Sequence, residues 1–311
     1  MTAYNPIQTE KLGFDDLMKY STNPFPCHIF RGIGYSQYEL VPSAYRRGKH
    51  GGLEKLKKYV VNYSYFNDKV LYNVKEPRID QLELITLSIF YNISNNQGLD
   101  LPYDIQPSIN VILDSISTDS YYKFNNINWM NHSSWKNIAS LAQHFGIPTR
   151  LLDWTTDFNT ALYFAVTSAI KEIDNHKKTD CFSIWIMNTH LMSKCVPKIR
   201  FVKTPYSKNS NINAQSGLFT VIDSANAEDH YISLEKHVKI GYDNNNISNG
   251  FLHTHGYEPI LKRIDIEYSL IPEIFSNLMH RKIDSNRFFP GFEGVVKTMN
   301  DYNNFEMMDN L

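Results

Sequence analysis

The chain has 311 residues, of which 42% are hydrophobic and 14% aromatic, and its formal net charge is −1. That length suits one large domain or one domain with an insertion, and the apolar fraction is ample for a packed core. Because the net charge is close to zero, no overall field favours nucleic acid or an anionic membrane, and we expect neither as a partner. The sequence also lacks the 18-residue apolar run that would span a bilayer.

The cysteines and histidines do not predict a metal site. The three cysteines, Cys27, Cys181 and Cys195, cannot all pair and do not have metal-ligand spacing. They favour a reducing environment and, without a signal-like N-terminal segment, a cytoplasmic protein. Only His253 and His255 are close enough to chelate, and the other histidines are scattered, so we predict no metal.

The N-terminal part of the chain predicts a lead-in followed by a first strand. Residues 1–24 are polar and punctuated by proline, and we interpret 25–311 as a single domain. Residues 27–30 predict a short strand that ends at Arg31 and two nearby glycines. An arginine at such a place suits a phosphate or carboxylate ligand, because its planar fork of donors is always charged. A structural ion pair with a protein carboxylate fits the pattern equally well.

A helical insertion is predicted over about 50–132. Two segments have apolar residues at helical spacing. They are Leu53, Leu56, Val60 and Tyr63 in the first, and Ile79, Leu82, Ile85, Ile89 and Ile93 in the second. Residues 106–117 predict another short helix. Glu83, in the second helix, either faces the site or is exposed, and exposure is the expectation.

The central block, residues 138–169, predicts a helix, a tight turn, a strand and a second helix. Gly146 and Pro148 end the first helix, residues 150–154 predict a mostly buried strand, and Asp157 can cap the second helix. The two junctions are rich in polar side chains: His144, Thr149, Arg150, Asp153, Thr155 and Thr156. Such junctions commonly carry function. Helix capping, or an ion pair between Arg150 and Asp153, would also explain these residues.

The remaining chain predicts further strands and one more helix. Residues 181–187, 218–222 and 260–266 have strand patterns, and apolar residues at helical spacing follow from Ile271. Gln215 and Gly217 stand where the second of these strands begins. A buried glutamine there more often satisfies the backbone than takes part in chemistry, and both interpretations stay open.

Several of these segments resemble the FRG domain, a bacterial and phage family named for a Phe-Arg-Gly tripeptide. The tripeptide is Phe30, Arg31 and Gly32, and residues 142–155 with 161–165 resemble the family signature. Further similar blocks lie at 40–46, 98–102, 214–219 and 288–294. In the last block Gly291 replaces the usual aspartate.

The order of these blocks is similar to that of ADP-ribosyltransferases. The resemblance implies an α+β fold with a split, mostly antiparallel sheet and a helical insertion, with NAD as substrate. It implies Arg31, Asp153 and Gln215 as catalytic residues, although Gln215 stands where a glutamate is usual. It also implies a set of substrate-binding residues: Phe30, Gly32, Arg46, His144, Thr149, Arg150, Trp154 and Thr155.

The leading functional hypothesis is an ADP-ribosyltransferase or NAD glycohydrolase that acts as a bacterial or phage toxin or defence effector on an unknown macromolecular target. The alternative is a non-catalytic nucleotide- or protein-binding module in phage–host conflict. Both hypotheses predict that Arg31, Arg46, Asp153, Thr155 and Gln215 line one pocket. His144, at a helix end, is expected to stabilise the turn or to touch the ligand.

Overall fold

The computed structural model describes residues 4–22, 25–48, 51–66, 79–101, 133–204, 213–224, 227–244, 256 and 258–306. Seven strands form one sheet: β1 Ile7–Lys11, β2 His28–Ile33, β3 Leu152–Thr155, β4 Cys181–Asn188, β5 Ile199–Val202, β6 Gly217–Ile222 and β7 Leu261–Glu267. The α-helices of the described residues are α1 Phe14–Thr22, α2 Gly52–Phe66, α3 Ile79–Asn96, α4 Ser133–His144, α5 Phe158–Glu172, α6 Thr189–Cys195, α7 Leu234–Asn244, α8 Ile271–His280, α9 Ser285–Phe288 and α10 Phe292–Glu306.

The sheet is mostly antiparallel, which confirms the predicted α+β class. Its strand order is β1-β7-β4-β2-β3-β6-β5. Among the strand pairs of the described residues, only the β1–β7 pair at one edge is parallel. The strands predicted at 181–187, 218–222 and 260–266 correspond to β4, β6 and β7.

The predicted split of the sheet needs correction, because the seven strands are continuous. Between β2 and β3, however, a single residue pair, Phe30 with Thr155, joins the two halves. On its other side β2 pairs with β4 over six residues, and β3 pairs with β6 over four. The sheet is therefore narrowest between β2 and β3, and a gap opens beyond that one pair.

Helix α5 packs against β2 so closely that a side chain would not fit at Gly32. A Cβ at Gly32 would lie 2.0 Å from the carbonyl oxygen of Ala161, and one at Gly34 would lie 2.8 Å from the Cβ of Ser168. Phe30, beside these glycines, is buried in the same core as most of α5. The glycines of this strand therefore set the distance between helix and sheet.

The N-terminal residues differ from the expected lead-in, since they supply part of the sheet and its core. Strand β1 pairs with β7 in parallel, and Leu12 N donates a hydrogen bond to the carbonyl of Asp265 at 3.1 Å. Leu17 in α1 is fully buried against the α5 side of the sheet. This strand has no apolar pattern in the sequence, because β1 lies at the edge of the sheet, where few of its side chains are covered.

Within the predicted insertion, α2 and α3 are both present and pack on each other. The predicted helix at 106–117 lies outside the described residues, as do His253 and His255. The described residues contain no cluster of three or more His, Cys, Asp or Glu side chains that could hold a metal ion. Among the helices that they form, none combines the length and hydrophobicity needed to cross a membrane.

The helix predicted from Ile271 is α8, but α9 and α10 were not predicted. A buried polar network fastens α10 to α5 and α9. Tyr163 Oη donates to Asp301 Oδ2 at 2.5 Å, and Ser285 Oγ donates to the same oxygen at 2.9 Å. This network holds α10 beside the gap between β2 and β3, where Lys297 borders a cavity.

Candidate functional site

An arginine bridges the gap where β2 and β3 part. Arg31 Nη1 donates to the backbone carbonyl of Asp153 at 2.7 Å and pairs with its Oδ1 at 2.7 Å. The guanidinium thus takes the place of the ladder hydrogen bonds that end at Phe30 and Thr155. The Arg31 side chain is 11% exposed and that of Asp153 is 63% exposed, so the carboxylate faces solvent while the arginine supports it from within.

The end of α4 supplies a second donor to the same carboxylate. Gly146 has a φ of +85° and donates to the Gln143 carbonyl at 2.9 Å, while Ile147 N donates to the Ala142 carbonyl at 3.0 Å. This Schellman turn ends the helix. It leaves Gln143 with its Nε2 donating to Asp153 Oδ1 at 3.2 Å. Thr149 Oγ1 donates to Gln143 Oε1 and so fixes the orientation of the amide.

These contacts decide the charge of Asp153. Loss of hydration raises the pKa of this carboxyl, but the charge and hydrogen bond of Arg31, together with a backbone hydrogen bond and the charge of Arg46, bring the net pKa below its ordinary value. Asp153 is therefore ionised at neutral pH.

On the other side of the gap, Thr155 and Gln215 join β3 to the end of α9. Thr155 Oγ1 donates to the Gln215 carbonyl at 2.7 Å, and Gln215 Nε2 donates to the Phe288 carbonyl at 3.3 Å. The segment after Phe288 turns sharply into α10: a Cβ at Gly294 would lie 2.1 Å from the Phe289 carbonyl oxygen. This closing block places Phe289 on the cavity wall.

A cavity of about 360 Å³ lies over this gap, between α4, α5 and the start of α10. We call it the cleft. Eight residues predicted from the sequence line it: Phe30, Arg31, Gly32, His144, Asp153, Trp154, Thr155 and Gln215. Sequence reasoning missed several others, among them Gln143, Thr160, Phe164, Phe289 and Lys297. Gln143 could have been found, because it stands inside the signature block beside His144.

Two of the cleft residues have little side chain to offer a ligand. Trp154 is buried, and its indole N–H donates to Thr220 Oγ1 at 2.9 Å. Gly32 has no side chain, and its close contact with α5 leaves no room for one. His144 lies at the wall with its ring centroid 6.3 Å from that of Phe289, and burial lowers its pKa, which favours a neutral imidazole.

Three predicted site residues lie elsewhere. Arg46 is absent from the lining of the cleft but lines an adjoining cavity that shares Arg31 and Asp153. Thr149 and Arg150 line neither cavity. Thr149 is fully buried, and its backbone N–H donates to Ser43 Oγ at 3.1 Å.

The partner of Arg150 is Glu83 and not Asp153. The backbone N–H and Nε of Arg150 donate to the two carboxylate oxygens of Glu83, each at 2.7 Å. Glu83 is 0% exposed, so the expectation that it would be exposed is wrong. This buried ion pair ties α3 to the start of β3 and leaves Asp153 to Arg31.

Fold and site together define an α+β protein whose polar cleft lies where two central strands of a mostly antiparallel sheet separate. The family model of the FRG domain matches residues 104–174, a stretch that contains α4, β3 and α5. This match confirms the resemblance to the FRG domain family over that part of the chain. A search of curated proteins and a search of solved structures each returned no match.

Proposed function

We propose that the cleft binds NAD and cleaves the bond between nicotinamide and ribose, in an ADP-ribosyltransferase or NAD glycohydrolase reaction. The observation that carries this proposal is the Asp153 carboxylate. It is charged, largely exposed at the cleft, and held in place by Arg31 and Gln143. The narrow junction between β2 and β3 supports an ADP-ribosyltransferase-like arrangement of the sheet.

The chemistry needs a negative charge beside the sugar. As the glycosidic bond breaks, its electron pair leaves with nicotinamide, and the ribose carbon acquires oxocarbenium character. A fixed carboxylate stabilises this positive charge electrostatically. Gln215 has no charge, and its amide is held by the Phe288 carbonyl. We therefore assign the stabilising role to Asp153 and a positioning role to Gln215.

Completion of the reaction needs a nucleophile at the same ribose carbon. Water gives ADP-ribose, and a nucleophilic side chain of a macromolecule gives a transferred ADP-ribosyl group. Thr155 and His144 border the cleft where they can orient the nicotinamide ribose. We also propose that the protein acts as a toxin or defence effector, with a macromolecule as the target of the transfer.

Nicotinamide release from NAD tests the proposal. The wild-type protein should release nicotinamide, and Asp153→Asn should slow release by about 100-fold or more, the usual effect of removing one preorganised electrostatic group. Asp223→Asn is the matched control, because Asp223 also pairs with an arginine, Arg200, but does not line the cleft. Wild-type protein without release, or Asp153→Asn as active as the control, would contradict the assignment.

A non-catalytic nucleotide-binding module is the second candidate. The uncharged Gln215 favours it, since its amide hydrogen bond to Phe288 is that of a structural residue. In that case NAD or ADP-ribose should raise the melting temperature through binding to the folded state, with no nicotinamide release. Thermal shift and release assays on the same sample separate the two functions.

A further inference from the structure

Next to the cleft lies a second cavity of about 320 Å³ whose lining is strongly basic. We call it the basic cavity. Its charged lining residues are Arg31, Arg46, Lys55 and Asp153. Arg31 and Asp153 form an ion pair with each other. The positive charges of Arg46 and Lys55 therefore have no matching carboxylate in the lining of this cavity. Within the described part of the chain, neither of these two makes an ion pair with a carboxylate.

The backbone holds the two cations together. Gly52 N donates to the Arg46 carbonyl at 3.1 Å, and a Cβ at Gly52 would lie 2.0 Å from the Ser43 carbonyl oxygen. Glycine at this position therefore lets α2 begin directly against the segment that carries Arg46. Lys55, three residues further along α2, is brought to the same cavity. The backbone contacts therefore bring both residues to the lining of one cavity.

The segment of Arg46 is anchored in turn to the central block. Ser43 Oγ accepts a hydrogen bond from Thr149 N at 3.1 Å, and Ala44 N donates to the Thr149 carbonyl at 3.0 Å. Arg46 Nε donates to the Val41 carbonyl at 3.1 Å. The buried Thr149 thus positions Arg46, although it does not itself line the cavity.

Arg46 shares the lining of the basic cavity with a second cation, the Arg31 guanidinium. Burial and the neighbouring Arg31 guanidinium lower its pKa, and Asp153 only partly offsets this. A cation close to another cation is stabilised when an anion binds between them or beside them. An anionic ligand in the basic cavity would therefore offset the repulsion between these cations.

We propose that the basic cavity is a phosphate subsite, with Arg46 and Lys55 as its ligands. The two unpaired cations match the charge of a phosphate or diphosphate group, and arginine offers two parallel donors to its oxygens while lysine adds a point charge. The subsite lies beside the proposed NAD cleft, but its binding of phosphate does not depend on NAD turnover. Its failure and that of the catalytic proposal can therefore be told apart.

Calorimetric titration with inorganic pyrophosphate tests the subsite. The wild-type protein should bind at low ionic strength, and Lys55→Gln should weaken binding by about 10-fold, the effect of losing one charged contact. Lys58→Gln is the matched control, since Lys58 is exposed on the same helix and does not line the cavity. Arg46→Gln should weaken binding further. No binding, or an equal effect of the Lys55 and Lys58 variants, would overturn the proposal.

A competition experiment identifies the source of the phosphate. If the subsite takes the diphosphate of the nucleotide in the cleft, ADP-ribose should displace pyrophosphate. If it takes the phosphate of a second molecule, ADP-ribose and pyrophosphate should bind together. If ADP-ribose displaces pyrophosphate from Lys55→Gln as it does from the wild-type protein, then pyrophosphate binds outside the basic cavity. That result would contradict the assignment.

Discussion

At the scale of single residues, the two arginines near Asp153 have different partners from those that proximity in sequence suggests. Arg150, three residues from Asp153, turns away to the buried Glu83. Arg31, 122 residues away, reaches Asp153 instead. The geometry explains these partners, because Phe30 and Thr155 form the residue pair between β2 and β3, and beyond it Arg31 donates to the Asp153 carbonyl. Arg150 therefore stabilises the fold, and Arg31 supports the cleft.

We expect Glu83→Gln to destabilise the protein by about 3–5 kcal/mol, because it removes the buried carboxylate that pairs with the Arg150 guanidinium. Glu54→Gln, which breaks the exposed pair with Lys57, should cost less than about 1 kcal/mol. Urea unfolding of both variants measures the difference. Equal, small losses would show that Arg150 does not depend on Glu83.

Gln215→Glu distinguishes a positioning residue from an attenuated catalytic one. The glutamate cannot donate to the Phe288 carbonyl as Gln215 Nε2 does at 3.3 Å. It also adds a charge near that oxygen. We therefore expect nicotinamide release to fall by about 10-fold, the effect of losing about 1.4 kcal/mol of transition-state stabilisation. A rise in activity would show instead that position 215 supplies the stabilising carboxylate.

His230 should make stability depend on pH. It is buried with its ring stacked on Tyr45 at 5.2 Å, and burial together with Arg150 lowers its pKa from 6.5 to about 4. The unfolded chain therefore takes up a proton that the folded protein does not, so stability is complete above about pH 6.5 and falls as the pH drops towards 4. Linkage gives a loss of about 2 kcal/mol at about pH 5.

Urea unfolding between pH 7 and pH 5 checks this expectation. His230→Phe should flatten the pH dependence, whatever its effect on stability at neutral pH. The same slope in the variant would assign the acid sensitivity to other groups.

At the scale of elements, the contact between β2 and α5 sets the position of the cleft. We expect Gly32→Ala to cost about 3 kcal/mol, because its Cβ would lie 2.0 Å from a helix carbonyl and would push the helix away from the strand. Gly13→Ala is the control, since nothing lies within 4 Å of a Cβ there. Thermal melts of both variants give the comparison. A Gly32 variant as stable as the control would mean that helix and strand can separate freely.

At the scale of the whole molecule, local sequence patterns predicted the helices and strands. They did not predict the contacts between residues that are far apart in sequence. The strands β4, β6 and β7 and the helices around the signature block follow from apolar spacing and caps. The Asp157 cap is one such case: its side chain accepts from Asn159 N. The resemblance grouped eight residues that the structure places around the cleft.

What escaped prediction depends on partners that are far away in sequence. The polarity of β1 gave no sign that it would join the edge of the sheet. Glu83 has the pattern of an exposed helix residue, and only Arg150, 67 residues later, explains its burial. Gln143 acquires its role only when the end of α4 meets Asp153. Such pairings are set by tertiary packing, which a single sequence does not encode in any local window.

The central claim is that the Arg31–Asp153 cleft binds and cleaves NAD, and calorimetry combined with nicotinamide release tests it most directly. We predict that wild-type protein binds and cleaves NAD, and that Arg31→Ala loses binding by about 10-fold or more together with most of the release. Arg200→Ala, which removes an exposed arginine paired with Asp223 outside the cleft, should behave as wild type. Unchanged NAD binding and release in Arg31→Ala would contradict the account.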